Sequence, residues 1–444
     1  MLPACLIVVL SLLVFLCIKN MLSHGDDLHA LAFIALYVYT IFAQIGYAYF
    51  PEFSIFLGAY FGIKLFYYYW LFMFLSFLSS FLIYKKVRKL GVYKQYYLVE
   101  TANNNLRWLL FWIVSIVLFS LLYLYFKNNR ALFGWGGGSP MGSMWFVIGF
   151  RLFTLIAFFS YLMFRNKSNK FAVRGIGLLA FVCEFIFFIN VCIAAGNRSD
   201  IVYFFLAISF YELSPIMSSF KLQKKKVFSF VVIGAVLINA LMILLALRTQ
   251  KADTNISAII NFEQGESNAR EVSFASKLLV QDYYSPSHPL FIAMHYGMID
   301  PLETLKSNLA NSVVLLKYPY LSQTIVSKVN PSIERGGGWA YHMFIEGYNA
   351  FGWFGILYNG IAWNLGLGLW LLLSKSNNLM HNKAMTAVMV FLIVNTMRSQ
   401  TSAFVLSLWM ILLPGLWLFL LSTNTKIKIL KKAKYVQKNH IHNL

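Results

Sequence analysis

FGIKLFYYYWLFMFLSFLSSFLIYKKVRK, residues 61–89, decides the class of fold to which this chain belongs. Its first 24 positions hold one charged residue, Lys64, and four basic residues crowd the last five positions. A helix of about 20 apolar residues crosses the hydrocarbon core of a bilayer, and Lys and Arg collect on its cytoplasmic side. The stretch therefore predicts a transmembrane helix that ends in the cytoplasm.

Apolar stretches of this kind recur along the chain. Its 444 residues are 59% hydrophobic and 12% charged, whereas about a quarter of the residues in soluble domains are charged. We predict an all-α, polytopic bundle with about eleven transmembrane helices, ten or twelve being the alternatives. The predicted spans are 3–18, 29–50, 61–84, 108–126, 145–164, 176–195, 201–217, 227–247, 350–373, 384–397 and 402–421.

The net charge of +21 follows this topology. Basic clusters fall in alternate loops, at residues 85–89, 165–174 and 221–226, and again in the C-terminal tail. Placing them all in the cytoplasm puts the N-terminus outside and the C-terminus inside. The presumed inner loops and the tail then hold 23 of the 37 Lys and Arg residues. Because topology explains the basicity, nucleic acid is excluded as a partner.

The chain divides into four predicted parts: transmembrane helices 1–8 over residues 1–247, a capping loop over 248–349, helices 9–11 over 350–421, and a basic cytoplasmic tail over 422–444. The loop lies on the outer side. Within it, Asp300-Pro301-Leu302-Glu303 predicts a helix start with Asp300 as the N-cap. Residues 273–297 are apolar enough to lie against the membrane or the bundle. Since long structured loops usually carry function, we predict a folded helical cap.

The segment RGGGWAYHMFIEGYNAFGWFG, residues 335–355, closes this loop with polar groups that a span in lipid does not need. If the chain turns helical directly after the glycine run, His342, Glu346 and Asn349 share one helix face. The alternative is a flexible joint whose polar groups wet the end of the next helix. A ligand can approach the backbone closely at three consecutive glycines: Gly336, Gly337 and Gly338.

Several arginines lie on the outer side, where the positive-inside rule disfavours them. Arg198 and Asp200 occupy the short turn between spans six and seven, and Arg398 occupies the turn between spans ten and eleven. Arg151 lies about a turn and a half inside span five, and Arg335 precedes the glycine run. The planar guanidinium of arginine binds phosphate through two parallel hydrogen bonds. These residues therefore predict a pyrophosphate site. The alternatives are interfacial anchoring and, for Arg151, snorkelling.

No cofactor and no metal are predicted. The four cysteines lie within apolar segments and lack metal-ligand spacing, so they behave as small hydrophobes. No Asp-x-Asp motif is visible on the outer side, which argues against a nucleotide-sugar enzyme that depends on a divalent metal.

Three features together resemble the bacterial O-antigen polymerases of the Wzy type. They are the outer turn Gly196-Asn197-Arg198, the large outer loop that ends in a glycine run, and the E-x-x-x-N-F-G-like segment from Glu346 to Gly352, which here has Ala350 inserted. Arg398, between the last two spans, also matches the family pattern. The resemblance covers the whole topology, with its motifs confined to a few short segments.

The resemblance implies a metal-independent glycosyltransferase with a GT-C-like architecture in the bacterial inner membrane. It would join undecaprenyl-pyrophosphate-linked oligosaccharide repeats on the periplasmic face, in contact with membrane lipid and alongside a chain-length regulator and a flippase. Glu346 or His342 would take the proton of the acceptor hydroxyl. The diphosphate and the glycan would be bound by Arg198, Arg398, Arg335, Arg151, Asp200, Asn349 and Tyr341.

Two alternatives stay open at this point. An O-antigen ligase, which moves a glycan onto lipid A core, would also use outer arginines and a histidine. A transporter or flippase for lipid-linked glycans belongs to a different class. It predicts ionisable residues in the middle of the membrane, and it predicts repeat symmetry.

Overall fold

The computed structural model describes residues 2–49, 63–90, 105–129, 144–165, 171–194, 287–312, 342–374 and 401–407, with isolated positions within 201–212, 319–325 and 389–393. Every regular element in this part of the chain is helical, and none is a strand. The predicted all-α class is therefore confirmed for the described residues.

Among the described residues up to 194, six long helices each match one of the first six predicted spans to within five residues. Their termini lie near basic clusters or short polar turns, where the apolar run ends. The helices are α1 (Leu2–Ser23), α2 (Asp27–Tyr49), α3 (Ile63–Lys89), α4 (Asn105–Asn128), α5 (Met144–Arg165) and α6 (Phe171–Ala194).

Four stretches of these helices are long and apolar enough to cross a membrane: Leu2–Ser23, Asp27–Ile45, Ile63–Lys89 and Arg174–Cys192. Two shorter apolar stretches lie in α4 and α5. These helices fit a helical membrane protein. The predicted span 227–247 lies outside the described residues, as do most of 201–217, 384–397 and 402–421.

The later part of the chain contributes shorter helices. The predicted start at Asp300 is confirmed, because its Oδ1 accepts a 2.9 Å hydrogen bond from the backbone N–H of Glu303. The elements are α7 (His288–His295), α8 (Pro301–Ser312), α9 (Met343–Phe351), a 3-10 turn (Gly352–Phe354), α10 (Gly355–Ser374) and α11 (Thr401–Ser407).

Helices α9 and α10 form a tight antiparallel hairpin. Its two helices touch at glycines, since a Cβ on Gly347 would lie only 2.5 Å from the carbonyl oxygen of Gly355. Asn359 of α10 fixes the register, because its Nδ2 donates to the carbonyl oxygen of Phe344 at 2.9 Å. The hairpin turns at Gly352, whose φ of 57° favours glycine.

Helix α10 runs parallel to α3. Asn359 Nδ2 donates to Ser76 Oγ at 3.2 Å, and Asn364 Nδ2 donates to the carbonyl oxygen of Ser80 at 3.0 Å. Both contacts advance along the two helices in the same direction. The basic end of α3 thus lies on the same side of the bundle as the C-terminal end of α10.

Helix α9 lies level with the middle of α3. The rings of Tyr348 and Phe72 have centroids 5.5 Å apart, and those of Phe344 and Phe77 are 5.4 Å apart. Phe72 and Phe77 are the tenth and fifteenth of the 27 residues of α3, a helix about 40 Å long. The residues of α9 are therefore at the mid-depth of a candidate span.

Candidate functional site

His342 caps the N-terminus of α9. Its backbone is extended, with φ of −71° and ψ of 127°, and its Nδ1 accepts a 3.2 Å hydrogen bond from the backbone N–H of Phe344. The expectation of a helix directly after Gly338 needs correction, because the helix begins at Met343. A histidine side chain here supplies an acceptor for one of the N–H groups that a helix start leaves without a partner.

The other ring nitrogen of His342 bonds across to α2. Nε2 lies 3.0 Å from Thr40 Oγ1 and 3.1 Å from the carbonyl oxygen of Leu36. Because Nδ1 accepts, Nε2 carries the proton and donates. The imidazole is therefore neutral, with both nitrogens engaged within the protein.

Glu346 lies one turn further along α9, with no exposed surface. Its Oε1 accepts hydrogen bonds from Asn308 Nδ2 at 2.7 Å and from the Tyr358 hydroxyl at 2.5 Å. Its Oε2 accepts a 2.7 Å bond from the backbone N–H of Thr401. Both carboxylate oxygens of Glu346 therefore have donors within the protein.

These donors come from three different helices. Asn308 belongs to α8, Tyr358 to α10 and Thr401 to α11, so the carboxylate of α9 joins four elements. Asn308 extends the connection, because its Oδ1 accepts a 3.3 Å bond from the backbone N–H of Ser402. We call Glu346, Asn308, Tyr358 and Thr401 the carboxylate cluster.

Sequence reasoning missed three members of the carboxylate cluster. Asn308 and Thr401 lie 38 and 55 residues from Glu346. No local spacing signals contacts between such distant positions. Tyr358 lies 12 residues away and is brought back only by the turn at Gly352. For Asn308 the sequence offers one indication of a role, because it is a polar residue on a predicted helix that also carries regularly spaced leucines.

Asn349 has different neighbours from Glu346. It lines a small cleft together with Asp300 and Thr304 among others. Its carbonyl oxygen accepts a 2.8 Å hydrogen bond from the backbone N–H of Asp300. His342, Glu346 and Asn349 therefore follow one another along α9, but their side chains contact three different surroundings.

The alternative reading of residues 335–355, a flexible joint whose polar groups contact water, does not fit α9. Every residue from Met343 to Ala350 is buried, the polar ones included. Polar groups at such positions need partners inside the protein, and the contacts of His342 and Glu346 supply them.

Most of the other predicted site residues lie outside the described part of the chain. For Arg151 the structure gives its position, the eighth residue of α5, but not its side chain. Arg398 precedes Thr401 by three residues. The residues outside the description are Arg198, Asp200, Arg335, Gly336, Gly337, Gly338, Tyr341 and Arg398.

Among the described residues, no three His, Cys, Asp or Glu side chains are grouped so that they could hold a metal ion. The four cysteines are free thiols on α1 and α6. Comparisons of this chain with protein-family models, with curated proteins and with solved structures find no match.

Proposed function

We propose that this chain is a membrane glycosyltransferase that joins undecaprenyl-pyrophosphate-linked oligosaccharide repeats at the outer face of the bacterial inner membrane. One observation carries the proposal. The hydrogen bond from Thr401 to Glu346 joins the Glu346 segment to a residue three positions after Arg398. Glu346 and Arg398 both belong to the pattern on which the resemblance rests. This contact supports a common site.

Glu346 is the proposed base. The acceptor hydroxyl oxygen attacks the anomeric carbon of the donor sugar, the bond from that carbon to the diphosphate oxygen breaks, and the diphosphate leaves with the electron pair. The hydroxyl proton passes to Glu346, a buried carboxylate on α9. A carboxylate that is positioned within hydrogen-bond reach of the hydroxyl can act as a general base.

The hydrogen bonds of the carboxylate cluster fit this role if the acceptor hydroxyl takes the place of one donor at Oε1. Tyr358 and Asn308 both donate to that oxygen, while Thr401 holds Oε2. The diphosphate that develops during transfer needs fixed positive charge, and Arg198 and Arg398 are the proposed ligands. In this proposal His342 positions α9 against α2 through its two ring nitrogens.

Chain extension in vitro tests the proposal. Purified protein in nanodiscs receives lipid-linked repeats without divalent metal, and the products are separated by length. Glu346→Gln keeps the size of the side chain but removes its basicity, so extension should fall by about 10²- to 10⁴-fold. The matched control is Glu212→Gln, which removes a carboxylate that pairs with Arg165 far from α9 along the chain. Extension at the wild-type rate by Glu346→Gln would refute the assignment of the base.

A transporter of lipid-linked glycans is the second candidate, and one observation favours it. His342 and Glu346 lie at the mid-depth of α2 and α3, where transporters hold their substrates. Proteoliposomes separate the two functions. A glycosyltransferase lengthens the glycan without moving it across the bilayer, whereas a transporter moves the lipid-linked repeat and leaves its length unchanged.

A further inference from the structure

Helix α8 carries its apolar side chains outward and its polar side chains inward. Leu302, Leu305 and Leu309 are 59%, 55% and 62% exposed, whereas Thr304 and Ser307 are 4% and 0% exposed. The three leucines recur at helical spacing and so form one continuous stripe. In a helix on a water-facing surface the opposite arrangement is the rule.

The inward polar face is held by specific bonds. Ser307 Oγ donates to the carbonyl oxygen of Pro319 at 2.9 Å, and Thr304 Oγ1 donates to that of Asp300 at 2.8 Å. Asn308 bonds both Glu346 and the backbone N–H of Ser402. The polar residues thus have partners within the protein, and the bonds of Asn308 to α9 and α11 fix the orientation that leaves the leucines outside.

Helix α8 also lies at membrane depth. The N–H of Asp300 bonds the carbonyl oxygen of Asn349, and Asn308 bonds Glu346. Both partners belong to α9, which is level with Phe72 and Phe77 of the candidate span α3. The leucine stripe of α8 therefore begins level with the half of α3 that lies away from its basic end. It continues to the level of the middle of α3.

We propose that Leu302, Leu305 and Leu309 lie against the acyl chains of bilayer lipids, so that this part of the predicted capping loop is inserted into the membrane. The surrounding surface continues the apolar face, since Ile299, beside Gly352, and Phe351 are each 50% exposed. Insertion explains why the apolar side chains of α8 face outward. Hydrocarbon then surrounds the leucines, while the polar side chains contact the protein.

Lys306, the sixth of the 12 residues of α8, lies beside the stripe and is exposed. A lysine stem can lie along an apolar surface while its ammonium extends towards the headgroup region. We expect the stem of Lys306 to direct the ammonium towards the leaflet that lies away from the basic end of α3. The inference stands apart from the proposed function, because it does not depend on which reaction the protein performs.

Spin-label accessibility in nanodiscs tests the proposal. The four native cysteines are replaced by alanine, and a nitroxide is attached to a single cysteine at Leu302, Leu305 or Leu309. Relaxation by oxygen, which concentrates in lipid, is compared with relaxation by a water-soluble nickel chelate. Leu71, exposed on α3, is the lipid control, and Ser23, the exposed last residue of α1, is the water control.

We expect all three positions to resemble Leu71, with oxygen accessibility several-fold above that of the chelate. Values that resemble Ser23 would overturn the proposal, because water then covers α8. Low accessibility to both reagents would also overturn it, because protein then covers the stripe, either another segment or a second copy of the chain.

A second measurement needs no substitution. Wild-type protein is placed in nanodiscs whose phospholipids carry a photoreactive diazirine in the acyl chain, and the adducts are located by mass spectrometry. Adducts are expected on residues 301–312 as well as on α3. Adducts on α3 without any on residues 301–312 would contradict the proposal.

Discussion

The backbone N–H of Thr401 donates a 2.7 Å hydrogen bond to Oε2 of Glu346, a residue 55 positions earlier in the chain. A helix start leaves N–H groups without intrahelical partners, and here a buried carboxylate accepts one of them. The same carboxylate holds α8 and α10 through Asn308 and Tyr358. Glu346 therefore organises its surroundings whether or not it also accepts a proton from substrate.

Asn308→Ala should destabilise the protein more than Asn311→Ala. The first substitution removes a donor to a buried carboxylate, which is worth about 1.5–3 kcal/mol, together with the bond from Ser402. Asn311 lies one turn later on α8, and its amide makes longer contacts of 3.2 and 3.4 Å. Thermal unfolding of both variants in detergent measures the difference. Equal melting temperatures would show that the carboxylate cluster contributes little.

Gly347→Ala should disrupt the α9–α10 hairpin. The added Cβ would lie 2.3 Å from Asn359 Oδ1 and 2.5 Å from a backbone oxygen, and overpacking of this kind typically costs about 1–3 kcal/mol. Gly175→Ala on α6 is the control, because nothing lies within 4 Å of its Cβ. Thermal unfolding should show a clear loss for the first variant and none for the second. A fully stable Gly347→Ala protein would contradict the close glycine contact.

Arginine geometry, and not charge alone, should matter at Arg198 and Arg398 if both bind diphosphate. Lysine keeps the charge but loses the bidentate fork. Both Arg→Ala and Arg→Lys should therefore greatly reduce polymer at unchanged protein level, measured by chain extension in vitro. Full activity of the two lysine variants would assign these positions to general electrostatic attraction or to interfacial anchoring.

Cysteine labelling from outside the cell tests the predicted orientation. Single cysteines at Ser273 and Ser322, in the predicted outer loop, should react with a membrane-impermeant reagent, and one at Ser218 should not. Reaction at Ser218 alone would reverse the topology and move the proposed site to the cytoplasmic face.

The sequence by itself determined the elements that depend on local composition. Long apolar runs bounded by basic clusters gave the positions of α1 to α6, because the apolar length and the charges that end it are both local properties. The cap at Asp300 was equally predictable, since a capping side chain bonds its own helix. His342 and Glu346 stood out because ionisable groups are rare in such a chain.

Only the tertiary structure decided what those polar groups contact and which way the helices face. His342 bonds α2 across about 300 residues of chain, and Glu346 meets Asn308 and Thr401 through packing that no local spacing encodes. The leucines of α8 have the spacing of a buried stripe, yet they face outward. Periodicity identifies an apolar face. Whether protein or lipid covers that face depends on how the helix is oriented, and the hydrogen bonds of Asn308 fix the orientation of α8.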